Sequence, residues 1–252
     1  MQLSKNIIFI TGGSSGIGLA LAKVFLELRN TVIICGRNLE KLEVVKNKYP
    51  GIHTIQCDIT KGDEVRLALE KTESDFNGLN ILINNAGVQY NYDFHGDNNA
   101  LKNIDDEINI NFLAQVKLTK LSLPFLMKQP ESAIINVSSG LGIVPKESAP
   151  IYCATKAAMH IFSKSLRYQL EKTPVKVFEI IPPLVDTDMT RGRGKGKISP
   201  ETLAEEVINS LKKNNYEIRV GKVKVLFLLN RFLPSLAEKI LRKGTGEDYK
   251  QK

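Results

Sequence analysis

Short β-branched runs alternate along the chain with longer stretches whose apolar residues recur every three or four positions. Ile7–Thr11, Thr31–Cys35, Ile52–Gln56, Asn80–Asn84, Ala133–Val137, Val175–Ile181 and Tyr216–Val220 predict strands. Residues 16–28, 39–47, 61–75, 103–128, 152–170 and 200–213 predict helices between them. Several strands are apolar almost throughout, as in Ile33-Ile34 and Ile81-Leu82-Ile83. Strands covered by helices on both faces have that pattern. The alternation through short loops therefore predicts an α/β fold with a doubly wound parallel sheet of about seven strands and right-handed crossovers. No repeat, linker or low-complexity tract divides residues 1–252, so a single domain is expected.

Beyond the last strand the pattern changes. Val223, Val225, Leu226, Phe227, Leu228, Leu229, Phe232 and Leu233 form an apolar stretch that carries only Lys224 and Arg231, and Pro234 ends it. Ser235-Leu236-Ala237-Glu238 then reads as a capping box for a second short helix. Residues 221–243 are thus expected to be a basic amphipathic helical extension. It would either pack on the core or on another subunit, or rest on an anionic membrane as interfacial helices do.

Charge sharpens this picture. The 252 residues carry a net charge of +8, yet Arg219 to Lys243 alone holds seven basic residues against Glu238. Arg191, Arg193, Lys195 and Lys197 add four more, so the rest of the chain is slightly acidic. With no Trp and no aromatics interleaved among these cations, nucleic-acid binding is disfavoured. Hydrophobic residues at 42% and charged residues at 25% fit a folded soluble protein. Cys35, Cys57 and Cys153 are scattered and odd in number, as are His53, His95 and His160, so neither a disulfide framework nor a metal site is expected. No apolar run reaches the ~20 residues of a membrane span, and the N-terminus does not read as a secretion signal. A cytoplasmic location follows as the expectation, with peripheral membrane contact through the C-terminal segment.

The first strand runs into Thr11-Gly12-Gly13-Ser14-Ser15-Gly16-Ile17-Gly18 and then an apolar helix. Glycines there let the backbone turn tightly against a pyrophosphate, and the helix N-terminus offers unpaired N–H groups. This is the context of a Rossmann-type dinucleotide site, with Gly12, Ser14, Ser15, Gly16, Ile17 and Gly18 as candidate cofactor contacts. The second strand ends in Cys35-Gly36-Arg37. A carboxylate near this point holds the ribose hydroxyls of NAD, whereas an arginine suits a 2′-phosphate. Arg37 therefore predicts NADP in preference to NAD.

Tyr152 and Lys156 stand four residues apart, on one face of a predicted helix. A nearby ammonium favours the phenolate, and such a pair suits acid/base work on a carbonyl or alcohol. Taken with its surroundings, the pair resembles a known pattern. Thr11 to Gly18, Asp58, Asn84-Asn85-Ala86-Gly87, Asn111, Ser138-Ser139, Tyr152 with Lys156, and Pro182-Pro183-Leu184-Val185-Asp186-Thr187 occur in the order of the short-chain dehydrogenase/reductase family. The stretches Val32 to Arg37 and His53 to Asp58 are similar to its DltE-like branch.

The resemblance implies an oxidoreductase that moves a hydride between NADP(H) and a carbonyl or secondary alcohol. Tyr152 would be the acid/base, and Lys156 would hold the nicotinamide ribose and lower the tyrosine pKa. Ser139, thirteen residues before the tyrosine, would bond the substrate oxygen, and Asn111 would position a water leading from Lys156. Asp58 and Ile59 would meet the adenine, Asn85, Ala86 and Gly87 the cofactor face, and Pro182, Val185 and Thr187 the carboxamide end. The family's usual Pro-Gly is Pro182-Pro183 here, which changes the loop under the nicotinamide. Pairing through the helices that hold Asn111 and Tyr152 implies a homodimer or homotetramer. An idle NADP-binding sensor is the alternative, although such a protein could lose Tyr152 or Lys156 and both are present. Residues 89–96, 141–151 and 188–199 should line the substrate pocket. The basic loop Arg191 to Lys197 is either a lid for an anionic substrate or a solvated loop with glycine hinges.

Overall fold

A computed structural model describes residues 1–97 and 100–243. The expected domain of 1–252 also includes 98–99 and 244–252, which lie outside the described residues. Seven strands form one sheet in the order β3-β2-β1-β4-β5-β6-β7, and every pairing is parallel. They are β1 (Ile7–Thr11), β2 (Thr31–Gly36), β3 (Ile52–Gln56), β4 (Ile81–Asn84), β5 (Ser132–Val137), β6 (Val175–Ile181) and β7 (Glu217–Arg219). The helices are α1 (Gly16–Glu27), α2 (Leu39–Lys48), α3 (Gly62–Phe76), α4 (Ala100–Ile108), α5 (Ala114–Leu126), α6 (Pro150–Gln169), α7 (Pro200–Lys212), α8 (Val223–Phe232) and α9 (Pro234–Leu241).

The apolar strands alternate their side chains between two cores. On one face Ile8, Ile10, Ile34, Ile83 and Phe178 meet Leu21 and Phe25 of α1 and Leu203 and Val207 of α7. On the other, Phe9, Ile33, Leu82 and Ile134 meet Val65 and Leu69 of α3, Leu118 of α5 and Leu166 of α6. Each such side chain contributes about 1.5–3 kcal/mol when fully buried, and both faces of every central strand contribute. The chain starts at the sheet centre, winds outward to β3, then returns to place β4 beside β1. A crevice opens at that reversal, beyond the C-terminal ends of β1 and β4.

Beyond one-residue shifts at several element ends, three features differ from the expectation. The helix predicted over 103–128 is divided: α4 and α5 are joined by a single π-helical turn, Asn109–Leu113, which the continuous apolar periodicity conceals. α6 begins at Pro150 rather than Tyr152, because proline suits a first helical turn, where no N–H partner is needed. The capping box at Ser235 to Glu238 does not form. α9 starts on Pro234 with Leu233 at its cap and no side-chain cap bond. The two C-terminal helices themselves are present.

Candidate functional site

The crevice runs from Arg37 and Asp58, past the glycine turn, to Tyr152, Lys156 and Thr187. The turn itself is built by backbone demands. Gly12 and Gly16 have φ of +63° and +52°, where a side chain is strained, and a Cβ on Gly18 would come within 2.5 Å of the Gly12 carbonyl oxygen. Ser15 caps α1 without a side-chain bond, and no acidic residue occupies the first turn. The helix N-terminus therefore offers open N–H groups and a favourable dipole to an anion. These features fit the pyrophosphate of a dinucleotide.

Thr11 joins this turn to the end of β4. Its Oγ1 accepts from the Asn85 and Ala86 N–H groups at 2.9 and 3.0 Å, and Asn85 Nδ2 donates to the carbonyls of Thr11 and Gly12. The Asn85 side chain is thus spent on the turn, leaving Ala86 and Gly87 to present backbone to the cleft. At the adenine end, the Asp58 carboxylate takes the N–H and hydroxyl of Thr60. Burial would raise its pKa, but those bonds and the charges of Arg37 and Lys61 outweigh it and hold the carboxyl below its usual value.

At the inner end, α6 brings Tyr152 and Lys156 together, both buried, with the ammonium 5.7 Å from the phenol ring centroid. Lys156 Nζ donates to the Val137 carbonyl at 2.8 Å. A Cβ on Gly87 would meet Asn111 Oδ1 at 3.2 Å and Lys156 Nζ at 3.7 Å, so both side chains close on that glycine. Asn111 sits in the π-helical turn, fully buried, and clasps the Val88 backbone from both amide atoms, at 2.8 and 2.9 Å. Ser138 and Ser139 separate cleanly. Ser138 gives its hydroxyl to Glu179, whereas Ser139 accepts the Leu141 N–H at 3.1 Å and lies beside the phenol.

Of the predicted residues, Gly12, Ser14, Ser15, Gly16, Ile17, Arg37, Asp58, Ile59, Asn85, Ala86, Gly87, Tyr152, Lys156, Pro182 and Thr187 line one cleft. Gly18, Asn111 and Val185 stand behind its wall, and the Val185 backbone instead bridges to Ile198. Pro182 accepts the Gly140 N–H, anchoring the loop after β6 to the loop after β5.

The expected depression of the tyrosine pKa is not what this geometry gives. Burial dominates and pushes Tyr152 up to about 12, against the lowering effect of Ser139. Burial likewise brings Lys156 down to about 8, against the charge of Glu179. The unfolded lysine titrates near 10.5, so between pH 8 and 10.5 the unfolded chain binds more protons than the folded one. Stability contributed by this site therefore rises with pH across that window. Wild type is expected to gain up to about 3 kcal/mol relative to Lys156→Met between those limits. Paired urea titrations check this, and a constant difference would overturn it.

Two carboxylates absent from the sequence reading shape the site. Glu179, in β6, is fully buried between Ser138 and His160, whose Nδ1 is 2.8 Å from Oε2. A charged residue inside an apolar strand was its visible signal. Glu107, at the end of α4, is also fully buried and takes the Tyr90 N–H at 2.9 Å and the Tyr92 hydroxyl at 3.4 Å. Nothing in its polar helix marked it.

The model of the family described as short chain dehydrogenase matches residues 6–197. The chain belongs to that family. It is 44% identical over 232 residues, 90% of this chain and 92% of the relative, to the uncharacterized oxidoreductase DltE of Bacillus subtilis (strain 168), so the DltE-like branch holds as well. Among solved structures it resembles a short chain dehydrogenase from Burkholderia cenocepacia J2315 in complex with NADP, at TM-score 0.83 and 24% identity, over 95% of this chain and 98% of that one. A second, from Burkholderia phymatum in complex with NAD, has TM-score 0.79 and 17% identity, over 92% and 96%. The protein is therefore an oxidoreductase of the short-chain dehydrogenase/reductase family on a seven-stranded parallel sheet, and its cleft fits a nicotinamide dinucleotide.

Proposed function

We propose that the protein is an NADP(H)-dependent reductase of a carbonyl, or in reverse a dehydrogenase of the matching secondary alcohol. The observation that carries this reading is the buried pair on α6, with Ser139 beside the phenol at the inner end of the dinucleotide cleft. The bound cofactor supplies the hydride, which reaches the carbonyl carbon. Tyr152 gives its proton to the carbonyl oxygen, so the substrate gains two electrons and two hydrogens while the cofactor is oxidised. Burial keeps the phenol protonated at neutral pH, which suits the reductive direction. Ser139 holds the same oxygen, and Lys156 binds the ribose and returns a proton to Tyr152 from solvent. Asn111 fixes Gly87 and Val88, the backbone under that path. Arg37 receives the 2′-phosphate. A screen of NADPH oxidation over a carbonyl panel tests the reading, and its loss on Tyr152→Phe assigns the chemistry.

Two exposed surfaces support partner readings. Leu113 and Ile161 leave apolar side chains on the outer faces beside Asn111 and on α6, where a symmetric dimer or tetramer would form. On α8 and α9, Val225, Leu228, Phe232, Leu236 and Ile240 face outward among Lys222, Arg231, Lys239 and Lys243, while Val223 and Ala237 fill the core side. No helix among the described residues is long and apolar enough to cross a membrane. We read the α8–α9 stripe as resting on anionic lipid, with the protein otherwise in the reducing cytoplasm where Cys35, Cys57 and Cys153 stay free thiols. Leu228 and Phe232 are 58% and 69% exposed, so Leu228→Ser with Phe232→Ser should spare folding. The wild type is expected to sediment with phosphatidylglycerol vesicles at low salt and the double variant to stay behind. Equal recovery of both proteins with the vesicles would overturn the lipid reading.

A further inference from the structure

Glu179 interrupts an apolar row. On its face of β6 it follows Val175 and Val177, which belong to the core, and it is itself fully buried. Strand register places it beside Asn136 of β5 and Glu217 of β7. Asn136 donates to Ser163 of α6 at 2.9 Å, so this row lies beneath α6. A carboxylate that far from water is costly unless other groups compensate it, and an apolar residue would have served the core better.

Both of its oxygens are engaged, and the two contacts converge on Lys156. Ser138 Oγ donates to Oε1, and His160 Nδ1 lies 2.8 Å from Oε2. His160 stands four residues after Lys156, on the same face of α6. Ser138 belongs to the peptide whose carbonyl, that of Val137, accepts the Lys156 ammonium at 2.8 Å. The N–H of the same peptide donates to the Ile180 carbonyl at 2.9 Å. Hydroxyl and N–H thus both tie Ser138 to β6, and the carbonyl under Lys156 is held by that tie. Ser138 also lines the cleft.

The surrounding charges have partners of their own. Glu217 pairs with Arg219 at 2.8 Å, and Arg219 lies over Phe227 of α8, whose ring meets the edge of His160. Lys164, one turn beyond His160, acts on Glu217. The charge of Glu179 acts on Lys156 instead, favouring the ammonium against the effect of burial.

We propose that Glu179, oriented by His160, is a positioning residue for the catalytic pair: it fixes the Val137–Ser138 peptide that anchors Lys156 and sets a buried negative charge opposite the ammonium. This rests on the reading of Tyr152 and Lys156 given above and adds to it the groups that keep Lys156 in place and charged.

The test follows the lysine Cε signals of the full-length protein by NMR, after growth on isotope-labelled lysine, across a pH titration. Absence of one signal in Lys156→Met assigns it. The wild-type midpoint is expected at about 8. Glu179→Gln keeps the shape and removes the charge, so the midpoint should fall by about one unit or more. His160 is partly exposed, and His160→Leu strips the donor from Oε2. The buried carboxylate then takes up a proton and the Lys156 midpoint falls as well, whereas His160→Asn keeps an amide donor and restores it. A purely structural Glu179 would lose stability on substitution and leave the midpoint alone. With NADPH and a responsive carbonyl, Glu179→Gln should move the alkaline limb of kcat to lower pH and leave KM within about two-fold. A midpoint unchanged in Glu179→Gln, or in His160→Leu should the first variant not fold, overturns the proposal. A shifted midpoint in a protein that reduces no carbonyl would keep Glu179 as the partner of Lys156 and remove the reductase reading. Turnover with the same alkaline limb in wild type and Glu179→Gln would remove the positioning role and keep that reading.

Discussion

The Tyr152→Phe variant is expected to turn over about 10²–10⁴-fold more slowly than the wild type while binding NADPH as before. The substitution keeps the ring and deletes one hydroxyl. Packing is preserved because the ring stays buried on α6, next to Cys153, whose Sγ accepts the Lys146 N–H at 3.4 Å and ties down the preceding loop. What disappears is the phenol proton placed beside Ser139. With that pKa near 12, the phenol is almost wholly protonated at neutral pH, so the loss should be nearly constant between pH 6 and 9 in the reductive direction. Stopped-flow kinetics with a responsive carbonyl, together with an NADPH titration, separates chemistry from binding. Turnover within a few-fold of wild type would remove Tyr152 from its role.

The strands were legible because burial on both faces leaves no room for polar residues, and Ile81-Leu82-Ile83 could hardly be anything else. The glycine turn was legible for a related reason: positive φ at Gly12 and Gly16 and the crowding at Gly18 leave few alternatives. Pattern carried less where neighbours in space decide. Nothing in residues 103–128 marks the π-helical turn, since its extra residue leaves the apolar periodicity on both sides intact. What separates Ser138 from Ser139 in space is Glu179, which comes from β6 and captures the Ser138 hydroxyl. At Tyr152, spacing reveals the neighbouring ammonium but not the depth of burial, and depth sets the direction of the shift.

At the opposite end of the cleft, NADPH is expected to bind at least about 10-fold more tightly than NADH, and Gly36→Asp to invert that order. β2 ends without a carboxylate, and Arg37 stands exposed at the cleft mouth with its backbone carbonyl held by Gln56 at 3.1 Å. The nearby Asp58 cannot substitute freely, because its oxygen already serves Thr60. A side chain at position 36 meets no obstacle: a Cβ would find Ser14 Oγ at 3.8 Å and Leu42 Cδ2 at 3.9 Å, both ordinary contacts, and the backbone there is not left-handed. An aspartate would accept the ribose hydroxyls, repel a 2′-phosphate and draw Arg37 into an ion pair. Arg37→Ala complements it. Losing one guanidinium–phosphate contact should weaken NADPH by about 10–100-fold and leave NADH unchanged. Because the Gln56 bond is made to the Arg37 backbone, it survives that change, and the loop keeps its course. A loss shared equally by both cofactors would mean that Arg37 shapes the loop instead of reading the phosphate. Equal dissociation constants for NADPH and NADH in the wild type, by fluorescence titration, would remove the preference altogether.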